Sequence, residues 1–229
     1  MKVETPQPEP PTPGRRGQVF EHFARIGKAV SSPKRLELLD ILCQGPRRVE
    51  RLAELSRLSV ANTSQHLQIL RSARLVEAEK QGLFVQYTLA DGVEQFYLSL
   101  RRLAEQRLAE VEVVTRAYSG AKGAMEQVGG AELLRRALSG QVTVLDVRPV
   151  EEYQAGHLPY ARSVPLAELP RRLGELPRNA EVVAYCRGPY CVFAMEAVEI
   201  LRAAGYTAWR MAEGPPAWRA AGVPLVVAS

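Results

Sequence analysis

The feature that most constrains this chain is a change in the spacing of its apolar residues, which runs first at helical intervals, then at strand intervals, then alternates between the two. From Val19 the recurrence through Phe20, Phe23, Ile26 and Val30, and again through Leu36, Leu38, Leu39, Ile41 and Leu42, predicts two helices. Ser32-Pro33 is a helix-start signal between them, and Gly45-Pro46 closes the second. A short helix over 49–55, the turn Ser56-Arg57-Leu58-Ser59 and a second helix over 60–73 follow, giving helix, tight turn, helix. Between 75 and 89 the period drops to two around Gln81-Gly82, the mark of a two-stranded hairpin. A long uninterrupted helix over 93–118 then spaces Val93, Tyr97, Leu100, Ala104, Leu108, Val111, Val114 and Tyr118 in near three-four alternation. Packed only on its own small domain, such a stripe would stay largely exposed, so it predicts a partner helix and a homodimer.

Residues 119–130, rich in Gly and Ala, read as a linker. Beyond them VTVLDV, LAELPRRLGEL, EVVAYC, VFAMEAVEILRAAG and TAWRM alternate strand with helix, which predicts a parallel α/β sheet over 131–229. The opening 1–17 is proline-rich and too polar to bury itself, and reads as a disordered tail ahead of a first domain over 18–118. A length of 229 residues suits two domains, each with its own core. No apolar leader and no run long enough to span a bilayer is visible, so the expected setting is cytoplasmic, with no membrane partner. There, three cysteines point to redox or catalytic chemistry rather than to a disulfide framework. The net charge of +5 is unevenly spread: residues 15–90 hold 13 Lys/Arg against 7 Asp/Glu, residues 121–229 hold 12 against 11. A basic excess confined to the front half fits contact with phosphate there and not in the back half.

The segment LSVANTSQHLQILRSARLV resembles the recognition helix and first wing strand of the ArsR/SmtB family of winged-helix repressors, in which a Ser, a Ser-x-His-Leu and a Leu-Arg recur at these spacings. Helical geometry turns Val60, Thr63, Leu67 and Leu70 toward the core and leaves Asn62, Ser64, Gln65, Gln68 and Arg71 outward, side chains of the kind that read base edges and phosphates in the major groove of double-stranded DNA. Ser59 is placed to cap the helix. The resemblance extends the candidate DNA-binding set to Ser59, Thr63 and His66, with Lys80, Gln81 and Gln86 at or near the hairpin tip. A winged helix used for protein docking would show the same amphipathic pattern. Arg74 stands where the family commonly has Gly, which implies a differently shaped turn into the wing. Many relatives bind metals through clustered thiolates or His/Asp sets; here the helix before the recognition helix has no Cys and the long helix neither Cys nor His, so no metal and no cofactor is expected. Cys43 reads as a small core residue.

The segments VLDVRPVEEYQAGHLPYARSVPL and EGPPAWRAAGVPL resemble the opening and closing motifs of rhodanese-like domains, and AYCRGPYCVFAMEA between them is a strand, a cysteine loop and a helix. The resemblance implies that Asp146 and Arg148 brace the loop, that His157 is a turn residue, and that Cys186 is a thiolate nucleophile cradled by loop N–H groups and the next helix N-terminus. In the family such a cysteine takes a sulfane sulfur as Cys-S-SH and passes it to an acceptor. Phosphatase-like relatives place an Arg six residues after the cysteine, where this chain has Val192. The sulfurtransferase loop often ends in Arg; here Arg187, Gly188, Pro189 and Tyr190 lead to Cys191. The missing guanidinium weakens thiosulfate binding, Arg187 is a candidate to restore some anion affinity, and Cys191 is either a resolving thiol for Cys186 or a small packed residue.

The fold class implied is a two-domain α/β chain, an N-terminal winged helix-turn-helix, mostly α with a β-hairpin wing, and a C-terminal rhodanese-like parallel-sheet α/β domain. The function implied is a DNA-binding transcription regulator, a repressor by family expectation, that answers a small sulfur-containing effector through Cys186. The alternatives are a sulfurtransferase tethered to a DNA-binding module and, beyond it, a rhodanese-like domain that serves only for docking.

Overall fold

The computed structural model describes residues 14–119 and 130–227; the proline-rich 1–13 and most of the stretch read as a linker lie outside the described residues. The first domain runs α1 (Arg15–Val30), α2 (Pro33–Cys43), β1 (Arg47–Arg48), α3 (Val49–Ser56), α4 (Val60–Ser72), β2 (Val76–Gln81), β3 (Phe84–Leu89), α5 (Val93–Arg107) and α6 (Ala109–Ser119). Helix α1 begins at Arg15, inside the stretch read as tail. Pro33 at the first turn of α2 is tolerated because its missing N–H has no partner there in any helix. Leu38, Leu39, Leu52, Leu67 and Leu70 converge in the core, joined by Val76, Tyr87 and Tyr97. Cys43 is buried in the same cluster, and burial pushes its thiol pKa up.

Three features of this domain depart from the sequence reading. The wing sheet has three strands, in the order β1-β3-β2, because Arg47 and Arg48 pair antiparallel with Tyr87 and Gln86. Two residues carry too little periodicity to be read as a strand. The long helix is not continuous: Leu108 leaves helical geometry at φ −114°, ψ 103°, dividing it into α5 and α6. Its apolar seam divides too, since Val93 and Tyr97 pack in their own core while Leu108, Val113 and Val114 are exposed. Arg74 adopts the left-handed conformation at φ +58°, with the N–H of Leu75 bonded to the carbonyl of Leu70. The turn therefore keeps the shape a glycine gives it, with a residue that pays a steric cost to adopt it.

The second domain runs α7 (Gly130–Leu138), β4 (Val142–Asp146), α8 (Val150–Ala155), β5 (Arg162–Ser163), α9 (Leu169–Arg172), a 3-10 turn (Leu173–Glu175), β6 (Glu181–Tyr185), α10 (Phe193–Ala203), β7 (Ala208–Arg210) and α11 (Pro215–Ala220). The strands form one parallel sheet in the order β5-β4-β6-β7. Strand alternation sends Val182 and Ala184 toward α10, and Val183 and Tyr185 toward Leu133 and Trp218 on the opposite face. Cys186 continues the first of these rows and is buried among the α10 contacts.

Candidate functional site

On α4 the Ser59 hydroxyl accepts the N–H of Asn62 at 3.2 Å, which fixes the helix start at Val60. Asn62, Gln65, Gln68 and Arg71 are exposed, Ser64 is half-buried, and Ile69, which the polar pattern passed over, is exposed beside them. Thr63 is fully buried and donates to the Ser59 carbonyl at 2.9 Å, so it packs the helix start rather than facing outward. Val60, expected in the core, is exposed, because position 60 is the first helical residue and lies at the rim. His66 is half-buried, its Nδ1 fully enclosed and without a hydrogen-bond partner. At the hairpin tip Lys80 and Gln81 are exposed, as is Leu83, the most exposed large apolar residue described. Gln86 sits mid-strand opposite Glu79, half-buried.

The second constellation forms at the carboxyl ends of β4 and β6, where a parallel sheet opens a crevice. Arg148 is 1 % exposed and Asp146 fully enclosed; Arg148 Nη2 donates to Asp146 Oδ2 at 2.6 Å and to the Gly156 carbonyl at 2.7 Å. Its Nη1 donates at 3.2 Å to Oε1 of Gln44, a residue of the first domain, whose Nε2 in turn donates to the Arg187 carbonyl at 3.3 Å. The brace expected within one domain thus reaches across both. His157 stacks on Tyr153 at 3.6 Å and bridges to Val226, the role of a turn residue.

The Cys186 side chain is enclosed, with its residue 1 % exposed and its thiol donating to the Cys191 carbonyl at 3.5 Å. Burial raises its pKa. Cys191 is half-buried; the neighbouring Cys186 thiol, followed by loop N–H groups and the Arg187 charge, lowers its pKa to about 7. The sequence reading assigned the stabilised thiolate to Cys186, whose enclosure raises its pKa, while the lowered pKa falls on its neighbour Cys191. Arg187 does not face the pocket as a free cation: its Nε and Nη2 grip Glu152 at 3.0 and 2.6 Å. Glu152 also lies 3.4 Å from Nη2 of Arg47 in β1. Gly214 is required where it stands, because a Cβ there would come 2.5 Å from the Cys186 carbonyl oxygen.

Sequence reasoning missed the residues that the first domain brings to this loop. Besides Gln44 and Arg47, Arg101 pairs with Glu213 at 3.0 Å, Glu105 accepts the Tyr190 hydroxyl at 2.6 Å, and Glu94 meets Arg219 at 2.6 Å. At Gly45, φ +125°, a Cβ would stand 2.7 Å from that of Ala155. Asp40, bonded by the Tyr97 hydroxyl at 2.9 Å and raised in pKa by burial, forms with Arg101 and residues 187–193 the wall of a pocket of about 190 Å³. No local pattern announces such contacts, since the partners are distant in sequence. Among the described residues no group of three or more His, Cys, Asp or Glu side chains is arranged to hold a metal ion, and no helix is long and apolar enough to cross a membrane.

Comparison with known proteins places both halves. The family model for bacterial regulatory proteins of the arsR family matches residues 32–78, and that for the rhodanese-like domain matches residues 130–221. The HTH-type transcriptional regulator Rv0324 of Mycobacterium tuberculosis is 42% identical over 212 residues, covering 92% of this chain and 93% of that protein. A sulfurtransferase of Allochromatium vinosum is 31% identical over 93 residues, 40% of this chain and 85% of its own length. Among solved structures, the homodimeric winged helix-turn-helix DNA-binding domain Mb0332, fragment 1–100, of Mycobacterium bovis aligns at 31% identity and TM-score 0.40, over 44% of this chain and 94% of that one.

Proposed function

Since the chain belongs to the arsR family of bacterial transcriptional regulators and carries a C-terminal rhodanese-like domain, we propose that it is a homodimeric, DNA-binding repressor whose operator affinity is set by reactive sulfur at its cysteine loop. Helix α4 enters the major groove with Asn62, Ser64, Gln65, Gln68 and Arg71, Ser59 and His66 flank them, and Lys80, Gln81 and Gln86 of the wing approach the neighbouring backbone. The exposed apolar residues of α1, Val19, Phe20 and Phe23, and those of α6, Val113 and Val114, are the faces offered to a second copy.

The observation that carries the sulfur reading is the contact between Gln44 and the Arg187 carbonyl. It ties the residue after Cys186 to the end of α2, one strand away from the helix-turn-helix. A modification that moves the loop backbone changes that contact and the Arg187–Glu152–Arg47 chain behind it, and so the footing of the DNA-binding domain. The second reading, a sulfurtransferase tethered to a DNA-binding module, draws on the similarity to the Allochromatium enzyme; the enclosure of Cys186 argues against rapid turnover with bulky acceptors.

Fluorescence anisotropy on the chain's own upstream DNA, at fixed salt, separates them. Polysulfide is expected to change affinity for the reduced wild type and to leave Cys186→Ser unaffected. Equal, tight binding in all three samples sinks the sensor and leaves the tethered enzyme; no binding in any of them favours a docking domain.

A further inference from the structure

The pocket in front of the cysteine loop belongs to both domains, and the thiol that lines it is Cys191. Cys186 lies behind the loop, with the Gly214 backbone packed against its carbonyl. The chain lacks the arginine that commonly ends a sulfurtransferase loop, and Arg187 is spent on Glu152. Arg101 of α5 is the second cation lining the pocket. Its Nη1 lies 3.7 Å from where a Cβ of Gly188 would stand, over the loop backbone, while its Nη2 is held by Glu213. Its Nε is fully enclosed and lies 3.4 Å from Glu105. That leaves Nη1 as the guanidinium nitrogen nearest the loop backbone. The pocket's 190 Å³, against about 30 Å³ per water, suits a molecule of a few heavy atoms.

We propose that this pocket takes a small anionic sulfane-sulfur donor, that Arg101 of the DNA-binding domain binds the donor's charged end, and that Cys191, rather than Cys186, receives the sulfur. The proposal rests on the reading that this loop handles reactive sulfur, and adds which thiol, which ligand charge and which domain. The Cys191 thiolate attacks the outer sulfur of the donor; the donor's S–S bond breaks and its remainder leaves with the electron pair, as sulfite from thiosulfate or as a shortened chain from a hydropolysulfide. Cys191 then holds the transferred sulfur as a persulfide. Cys186 attacks Cys191 Sγ, its proton passing to the departing sulfur; the persulfide bond breaks, hydrogen sulfide leaves, and a Cys186–Cys191 disulfide remains. The donor's sulfane sulfur is reduced to sulfide as the two thiols are oxidised. The placement of Cys191 on the pocket wall and the enclosure of Cys186 behind it support this order.

Trypsin cuts after Arg187 and puts the two cysteines on separate peptides, NAEVVAYCR and GPYCVFAMEAVEILR, so mass spectrometry of the full-length protein reads each one. With limiting iodoacetamide, Cys191 of the reduced chain is expected to be alkylated at least tenfold faster than Cys186. Thiosulfate and hydropolysulfide, tested separately to tell the two sources apart, are expected to add one sulfur to Cys191 in Cys186→Ser and to link the two peptides in the wild type. Cys191→Ser is expected to take up sulfur at least tenfold more slowly. Arg101→Gln is expected to slow both anions at least fivefold while leaving neutral iodoacetamide unchanged, with Arg101→Lys in between. Faster labelling of Cys186, or wild-type sulfur uptake in Cys191→Ser, overturns the proposal and leaves the sulfur-responsive reading standing. Equal slowing of anions and iodoacetamide in Arg101→Gln overturns the anion role. If neither donor reacts at either thiol, both the proposal and the reading beneath it fall.

Discussion

In the winged-helix domain the side chains offered to a partner are ones the fold does not need, whereas in the rhodanese-like domain nearly every polar side chain near the thiols also holds the structure together. Gln65, Gln68 and Arg71 project from α4 into solvent. Asp146, Arg148 and Glu152 are almost wholly enclosed; Asp146 is bound by the backbone and guanidinium of Arg148, Arg148 also reaches Gln44 and Gly156, and Glu152 holds Arg187 and Arg47. The difference teaches what a substitution measures in each place. On α4 a loss of affinity reports recognition; around the cysteine loop, function and stability are altered together, and only a readout of chemistry at a named atom separates them.

The largest effect is expected from Arg148→Ala, which strands the fully buried Asp146 and removes the link to Gln44. Breaking one side of a buried pair costs about 3–5 kcal/mol. Both tryptophans, Trp209 and Trp218, lie in the second domain, so urea unfolding followed by their fluorescence reads that domain. A shift below 1 kcal/mol would erase the contrast drawn above. Next, Gln68→Ala and Arg71→Ala should each weaken operator binding by about 1–3 kcal/mol if they contact bases, with unfolding unchanged to within about 0.5 kcal/mol. An affinity loss matched by an equal loss of stability would mean that α4 resembles the cysteine loop after all. Ser59→Ala removes the cap of α4 and should cost about 1 kcal/mol of stability in the first domain, a structural effect on the very helix whose outer face should show none; backbone hydrogen exchange along α4 is the measurement. The smallest change is a gain. Arg74→Gly relieves a left-handed residue and should stabilise the first domain by up to about 1 kcal/mol, read by far-UV circular dichroism melting; destabilisation would show that the Arg74 side chain does more than occupy a turn.

Much of this architecture could be read before any coordinates. Helix-turn-helix, hairpin and alternating α/β order are local periodicities, and local spacing is what one sequence reports best. The motifs at Asp146, His157 and Cys186 were legible for the same reason, as runs of adjacent residues. The break at Leu108 was not, because the apolar spacing on either side continues in register across it while the backbone does not. Nor was the arrival of Arg101 at the pocket beside Arg187: it comes from α5 and depends on how two domains dock, while Arg187 is captured by Glu152 within its own domain. Thr63 shows the limit at a single site, since a polar residue in a recognition helix can serve the helix rather than the groove.

Gly45 meets Ala155 so closely that position 45 has no room for a side chain. That makes the fusion less modular than its two family matches suggest. A winged helix taken from another regulator and grafted onto this rhodanese-like domain, with any other residue at position 45, would reach the cysteine loop too far away for Gln44 and Arg101 to engage it. Among natural sequences that keep this docking, the two positions should vary together, with small residues paired at both, so their joint record would trace which members of the lineage inherited the contact and which merely inherited the parts.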